Sequence, residues 1–273
     1  MNPTSAVSFV GKDHATVHGL AGDWSIFRRK DVVCEKNVGR KHGPVPFRAA
    51  VRHVLLSIVL FAGVVSPIRA DERADAKSSL DTDPQGWTSV MPPTDLKGWN
   101  RVPVPPGGAM GREQWHVDAD QGLLICDGDG GHDMLLTEKE YGDAIFHFEC
   151  RYTKIEGGKG YNSGAYVRNS ADGAIWHQAQ FGDAKDGFLF GRTATADGRG
   201  KSFRVIDPAA GTRVKPAGEW NTIEITARGK TLTLWVNGKV TCQFDDCGAE
   251  RGHVGLEGEG YRIEFRNLQV KEL

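Results

Sequence analysis

Ala144–Thr153 reads AIFHFECRYT. Phe146, Phe148, Cys150 and Tyr152 share one parity; His147, Glu149 and Arg151 share the other. Strict alternation of this kind marks a strand with one face in a core and one face open. Similar short runs recur on both sides of it. They are Gly122–Cys126, Ser163–Arg168, Trp176–Phe181, Asn221–Ala227, Thr231–Val236, Lys239–Phe244, His253–Glu257 and Arg262–Val270. Gly, Asn and Asp turns separate them, and Asn237-Gly238 is a strong two-residue hairpin signal. After residue 77 no segment sustains a helical apolar period. The reading is all-β: eight to twelve strands in roughly 190 residues, folded as a two-sheet antiparallel sandwich of jelly-roll type.

Composition agrees. The 273 residues are 39% hydrophobic and 25% charged, with 35 Gly and a net charge of −1. That balance gives no field to gather nucleic acid, and no basic run with interleaved aromatics offers a nucleic-acid surface. The chain is expected to have no nucleic-acid partner.

The first 76 residues read as a leader. Residues 54–68, VLLSIVLFAGVVSPI, are uncharged; Arg48 and Arg52 precede them, and Ala70 and Ala74-Asp75-Ala76 follow. A basic flank, a short apolar run and a small-residue cleavage site describe a secretory signal peptide. The run is short for a membrane span, so membrane contact is expected only through an uncleaved signal segment. Residues 1–50 are long for an n-region, which points to a start near Val45 or Val51. The mature protein is expected to be exported, to the periplasm, the cell surface or the medium. Residues 77–85 then read as a polar linker, and 86–273 as one domain without internal repeats. Export permits disulfides. Cys242 and Cys247 are close enough to bridge across a turn, whereas Cys126 and Cys150 read as buried thiols.

Trp176–Asp183, WHQAQFGD, sets Trp176, Gln178 and Gln180 on one face and His177, Ala179 and Phe181 on the other. Amides are poor strand formers, and two beside an indole are suited to holding sugar hydroxyls. His177 is expected on the core side, satisfied by a hydrogen bond.

Several motifs then occur in order: LTEKEYGD at 136–143, NSGAYVR at 162–168, KPAGEWNTIE at 215–224, LWVNG at 234–238, GHVGLE at 252–257 and IEFRNL at 263–268. Together they resemble the DUF1080 family, the 3-keto-disaccharide hydrolase domain, over residues 86–273. The resemblance implies a concanavalin A-like lectin/glucanase sandwich in exported bacterial proteins. It also implies cleavage of glycosides already oxidised to a ketone at sugar carbon 3. A C3 ketone acidifies the C2–H; a base removes it, the glycosidic oxygen leaves by elimination, and water adds later. Such a site needs a base, an enolate stabiliser and an acid for the leaving group. It differs from the two-carboxylate glycosidase. In many family members the strand matching WHQAQFGD carries a Glu-x-Gln pattern. Here Gln178 stands at the Glu position, and an amide does not titrate.

Parity supplies the candidates. If the open faces belong to one sheet, they gather Glu149, Arg151, Tyr166, Arg168, Gln178, Gln180 and Glu257. Glu149 or Glu257 would be the base, with His147 as an alternative base or metal ligand, and Arg168 would stabilise the enolate. Trp115 and Trp176 would stack on sugar rings, and Arg151, Asn162, Tyr166, Gln178 and Gln180 would bind hydroxyls. The plain alternative for Glu149 and Arg151 is a solvated cross-strand charge ladder. Trp220 reads as core; Trp235 fits either role.

Asp127-Gly128-Asp129-Gly130-Gly131-His132-Asp133 brings three carboxylates into a short span. It lacks EF-hand spacing and reads first as a surface turn. No motif indicates a resident cofactor; a divalent metal on Asp127, Asp129 and His132 is a candidate, and His132 and His177 could join a transition-metal site, though nothing in their spacing demands it. Gly157–Gly160 lacks phosphate-loop spacing. The stretch Asp183–Pro216 reads as a long loop of the kind that forms lids, from which Arg192 and Lys201 could reach a ligand.

Two readings follow. One is an exported hydrolase or lyase acting on 3-keto-glycosides. The other is a non-catalytic carbohydrate-binding module on the same scaffold, with a secreted adhesion protein a weaker third. A carbohydrate ligand is common to the first two.

Overall fold

A computed structural model describes residues 75–182, 187–207 and 213–273. The expected leader, its signal segment, Cys34 and the alternative start lie outside the described residues. Among the described residues no helix is long and apolar enough to cross a membrane.

The elements are one turn of helix, α1 (Ser79–Thr82), and a series of strands. The strands are β1 (Trp87–Ser89), β2 (Trp99–Pro103), β3 (Trp115–Asp118), β4 (Leu123–Cys126), β5 (Asp133–Tyr141), β6 (Ala144–Tyr152), β7 (Asn162–Asn169) and β8 (Trp176–Gly182). There follow β9 (Phe188–Ala194), β10 (Gly200–Val205), β11 (Asn221–Arg228), β12 (Thr231–Val236), β13 (Lys239–Phe244), β14 (Gly252–Gly258) and β15 (Ile263–Glu272). They form two sheets. Sheet A runs β13-β12-β11-β6-β15-β4-β3, with β1 also on β15; sheet B runs β10-β9-β8-β7-β14-β5-β2. Neighbours are antiparallel throughout. The chain is the two-sheet antiparallel sandwich that the alternation predicts.

The inner faces supply the core. In β6, Phe146, Phe148, Cys150 and Tyr152 are buried as expected. Phe148 meets Phe181 of sheet B at 5.7 Å between ring centroids. Tyr152 Oη donates to the Phe181 carbonyl at 2.9 Å, a polar tie between the sheets. Each such ring contributes about 1.5–3 kcal/mol by leaving water. The Asn237-Gly238 hairpin is present, with Val236 facing Lys239 and Asn237 at a φ of 44°. That left-handed position suits Asn.

The expected lid is instead a hairpin in its described part. β9 and β10 pair from Gly200–Ala194 to Val205–Leu189 and extend sheet B. Their apolar residues were masked in the sequence by Gly and Arg neighbours. Cys242 and Cys247 are buried free thiols, as are Cys126 and Cys150, so the expected bridge is absent. Trp220 is half-buried on the outer side of sheet A and not in the core; the Arg151 and Arg266 guanidiniums lie over its ring at 4.6 and 3.9 Å. Trp235 is half-buried between the buried Leu234 and Val236, on the outer face.

Within 77–85, Ser78 caps α1 by accepting from the Asp81 amide. The Ser79 and Leu80 amides donate to Glu224 at 2.8 and 3.1 Å, holding this segment against sheet A.

Candidate functional site

The open faces expected to lie on one sheet are divided between two. His147, Glu149 and Arg151 lie on the outer face of sheet A, because β6 belongs there. His147 is buried under Trp87 and bonded to Glu224 at 2.9 Å. Burial works against the Glu224 charge, but His147 and the α1 amides outweigh it and hold its carboxyl below the ordinary value. Glu149 pairs with Arg266 at 2.7 Å, and Arg151 with Glu264 at 2.6 Å. This is the cross-strand ladder that was the plain alternative. Arg168 is also misplaced by parity. Its φ of 51° breaks the alternation, beside a register shift in β14. Its side chain is buried, paired with Asp143 at 2.7 Å and donating to the Ala249 carbonyl at 2.9 Å and to that of Gly229. Trp115 is core, with Nε1 donating to Asp133 at 2.9 Å, so it offers no stacking face. Asp127 is taken by Arg262 and His116, and Asp129 by Arg112. Neither joins a metal cluster.

The remaining candidates converge on the outer face of sheet B. Val254 and Leu256 of β14 point into the core, which turns Glu257 outward. Ala165 and Val167 do the same for Tyr166, and Ala179 and Phe181 for Trp176, Gln178 and Gln180. Glu257 is only 3% exposed. Its Oε1 accepts from Tyr166 Oη at 2.9 Å and faces His132 Nε2 at 2.8 Å. Its Oε2 accepts from Gln178 Nε2 at 2.6 Å. Gln178 fits because β7 carries Gly164 beside it; a Cβ there would overlap the Gln178 amide. Next along, Gln180 donates to Asn162, and Asn162 to Glu259. Met134, Leu136 and Val102 pack around Tyr166 as an apolar floor, with Trp176 against it.

Glu259 was not foreseen. It follows β14 with no alternation to flag it, and only its place beside His132 gives it away. His132 was foreseen only as a metal candidate. Burial disfavours its charged ring, yet the bond and charge of Glu257, with Glu259 and Asp133 beyond, raise its pKa above the ordinary value. Burial and the Glu257 charge raise that of Glu259. Burial, then Glu257, keeps the Tyr166 phenol protonated. His132, Glu257 and Glu259 offer one nitrogen and two oxygens within 4.8 Å of one another. That donor set suits a divalent transition metal, and Tyr166 and Gln178 would then orient the Glu257 ligand.

A family model described as the 3-keto-alpha-glucoside-1,2-lyase-like domain matches residues 86–271. The chain belongs to this family. The lyase-like domain therefore spans both sheets, and the family places the chain among carbohydrate-active domains that cut or bind sugars. No curated protein sequence matches the chain significantly. Among solved structures, a Parabacteroides distasonis protein assigned as a glycosyl hydrolase is similar at 18% identity and a TM-score of 0.49, over 73% of this chain and 99% of that one. The carbohydrate-binding module CBM66 of Bacillus subtilis is similar at 17% identity and 0.48, over 68% and 99%. The β-glucanase of Bacillus licheniformis is similar at 12% and 0.44, over 65% and 93%.

Proposed function

We propose that the protein cleaves glycosides carrying a ketone at sugar carbon 3, by elimination across C1–C2 followed by hydration, on substrates met outside the cytoplasm. The carrying observation is a buried carboxylate, Glu257, that holds the partly exposed imidazole of His132 at 2.8 Å. Gln178 and Tyr166 fix Glu257 in turn. This is the arrangement by which a carboxylate orients an imidazole and supports its charge. His132 takes the C2 proton, the electron pair forms the enolate with the C3 oxygen, and its collapse to C1=C2 expels the glycosidic oxygen. Glu259, with its pKa raised, is the nearby acid for the departing oxygen. Water then adds at C1 and a proton returns to C2. Gln180, Asn162 and Trp176 hold the sugar. Gln178 thus needs no charge: its amide orients the carboxylate that lies two strands away on the same face. A divalent cation on His132, Glu257 and Glu259 would take the place of this acid–base pair, occupying both proton carriers and supplying Lewis-acid polarisation of the C3 carbonyl instead.

The test is sugar release from a 3-keto-disaccharide and from its unoxidised parent, with and without chelator. Release from the keto form alone supports the reading, and its loss with chelator assigns the cluster to a cation. Binding of both sugars without release of either would overturn it in favour of a carbohydrate-binding module.

A further inference from the structure

Beyond Gln178 and Gln180, sheet B continues into β9 and β10, and its outer face changes character. Leu189 and Thr193 are buried inward, so Phe188, Phe190 and Arg192 point outward. The register sets Phe190 beside Gln178, Phe188 beside Gln180 and Arg192 beside Trp176. Arg204 of β10 faces Phe190 and lies over the Phe188 ring at 4.7 Å. Trp176 meets Phe190 at 5.0 Å with planes at 87°, and Phe188 meets Phe190 at 5.5 Å and 47°. All three rings are half-buried. Arg192 and Arg204 are exposed, and neither has a carboxylate partner among the described residues.

We infer that this wall is the leaving-group subsite, and that it selects glycosides whose leaving group is a planar aromatic ring with an acidic substituent. The inference rests on the proposed reaction only in placing the sugar over Tyr166 and Gln178. Adjacent strands are about 4.8 Å apart, so Phe190 on β9 lies about 10 Å from Tyr166 on β7, roughly one sugar ring away. The chemistry of the wall favours an aryl group over a second sugar. A sugar ring over Phe188 and Phe190 would lose water from several hydroxyls, meet donors only at its edges, and find no acceptor on Phe188, Phe190, Arg192 or Arg204. An aromatic ring has no such debt. It fits among mutually inclined rings edge to face, and two guanidiniums with no carboxylate partner among the described residues suit a carboxylate or sulfate on its rim.

The experiment compares 4-carboxyphenyl, phenyl and methyl 3-keto-glucosides as substrates, and the unoxidised 4-carboxyphenyl and methyl glucosides as ligands. Phe190→Ala should lower kcat/KM for both aryl substrates about tenfold, the weight of one good ring contact, while the methyl substrate changes less than about threefold. Arg204→Gln, at an exposed residue, should weaken only the carboxylated compounds. The unoxidised 4-carboxyphenyl glucoside should bind more tightly than the methyl glucoside, and Phe190→Ala should erase that margin. Equal losses on aryl and methyl compounds, or no binding margin, overturn the subsite. If nothing is cleaved but the binding margin and its loss are seen, the subsite stands and the proposed reaction falls. If cleavage occurs with no aryl-specific effect, the reaction stands and the subsite falls.

Discussion

Gln178 Nε2 donates to Glu257 Oε2 at 2.6 Å. The contact joins two strands that are not neighbours, since β7 lies between β8 and β14. It gives the amide a structural task at the place where the family resemblance implies a carboxylate.

Replacing that donor should therefore slow the chemistry without emptying the site. Gln178→Leu is expected to lower kcat by on the order of tenfold while KM moves little, because a displaced Glu257 no longer orients His132. Gln178→Glu should be at least as damaging near neutral pH, since two carboxylates would face each other across the former bond. Steady-state kinetics on a 3-keto-glycoside checks both. A gain in kcat for Gln178→Glu would instead mark Gln178 as a lost catalytic carboxylate.

Arg168 should behave as a structural residue. Its guanidinium is 1% exposed and pairs with Asp143. Asp143 is itself 43% exposed, so the cost is that of the lost charge-assisted hydrogen bonds, about 1.5–3 kcal/mol each. Arg168→Met is thus expected to lower Tm by several degrees and to leave kcat of the folded fraction close to that of the unaltered protein. Thermal unfolding alongside active-site-normalised rates would show it. A selective loss of kcat with unchanged Tm would return Arg168 to the enolate.

The strand pattern around residues 144–153 was legible because each run has one parity buried and the other open. Export of that logic to the site succeeded on β7, β8 and β14, where Tyr166, Gln178, Gln180 and Glu257 share one face. It failed on β6, since alternation tells which residues share a face and not which sheet the strand joins. It failed again at Arg168, where a positive φ flips the side chain without any sign in the residue types. Glu259 and His132 flank strands and have no period to reveal them. β9 and β10 were lost because Gly191 and Gly200 interrupt an apolar pattern that was already thin.

His177 makes acid a specific stress. It is fully buried, with Nε2 at 3.0 Å from Thr193 Oγ1 and Nδ1 without a partner. Burial, the largest cause, lowers its pKa to about 4, with the Arg168 charge acting in the same direction. The unfolded chain binds the proton near pH 6.5, so between those values the unfolded state holds more protons and stability rises with pH. The contribution is fully present above about pH 6.5. It fades as pH falls toward the folded value of about 4. Its size is on the order of 3 kcal/mol. Denaturant unfolding at pH 7 and pH 5 should show the decline, and His177→Gln should flatten it. An unchanged slope in that variant would place the acid sensitivity elsewhere.

The proposed role of Glu257 is to serve removal of the C2 proton, and isotope exchange follows that proton. A 3-keto-glucoside is cleaved in D2O, and the released 3-keto-sugar is examined at C2 against a control without protein. Deuterium is expected at C2 with the unaltered protein, and with Glu257→Gln a loss of cleavage of about a thousandfold or more, within the range of removing an acid–base group, in a chain that still unfolds cooperatively. Release of sugar that keeps its C2 hydrogen, or cleavage by Glu257→Gln at the unaltered rate, would contradict it.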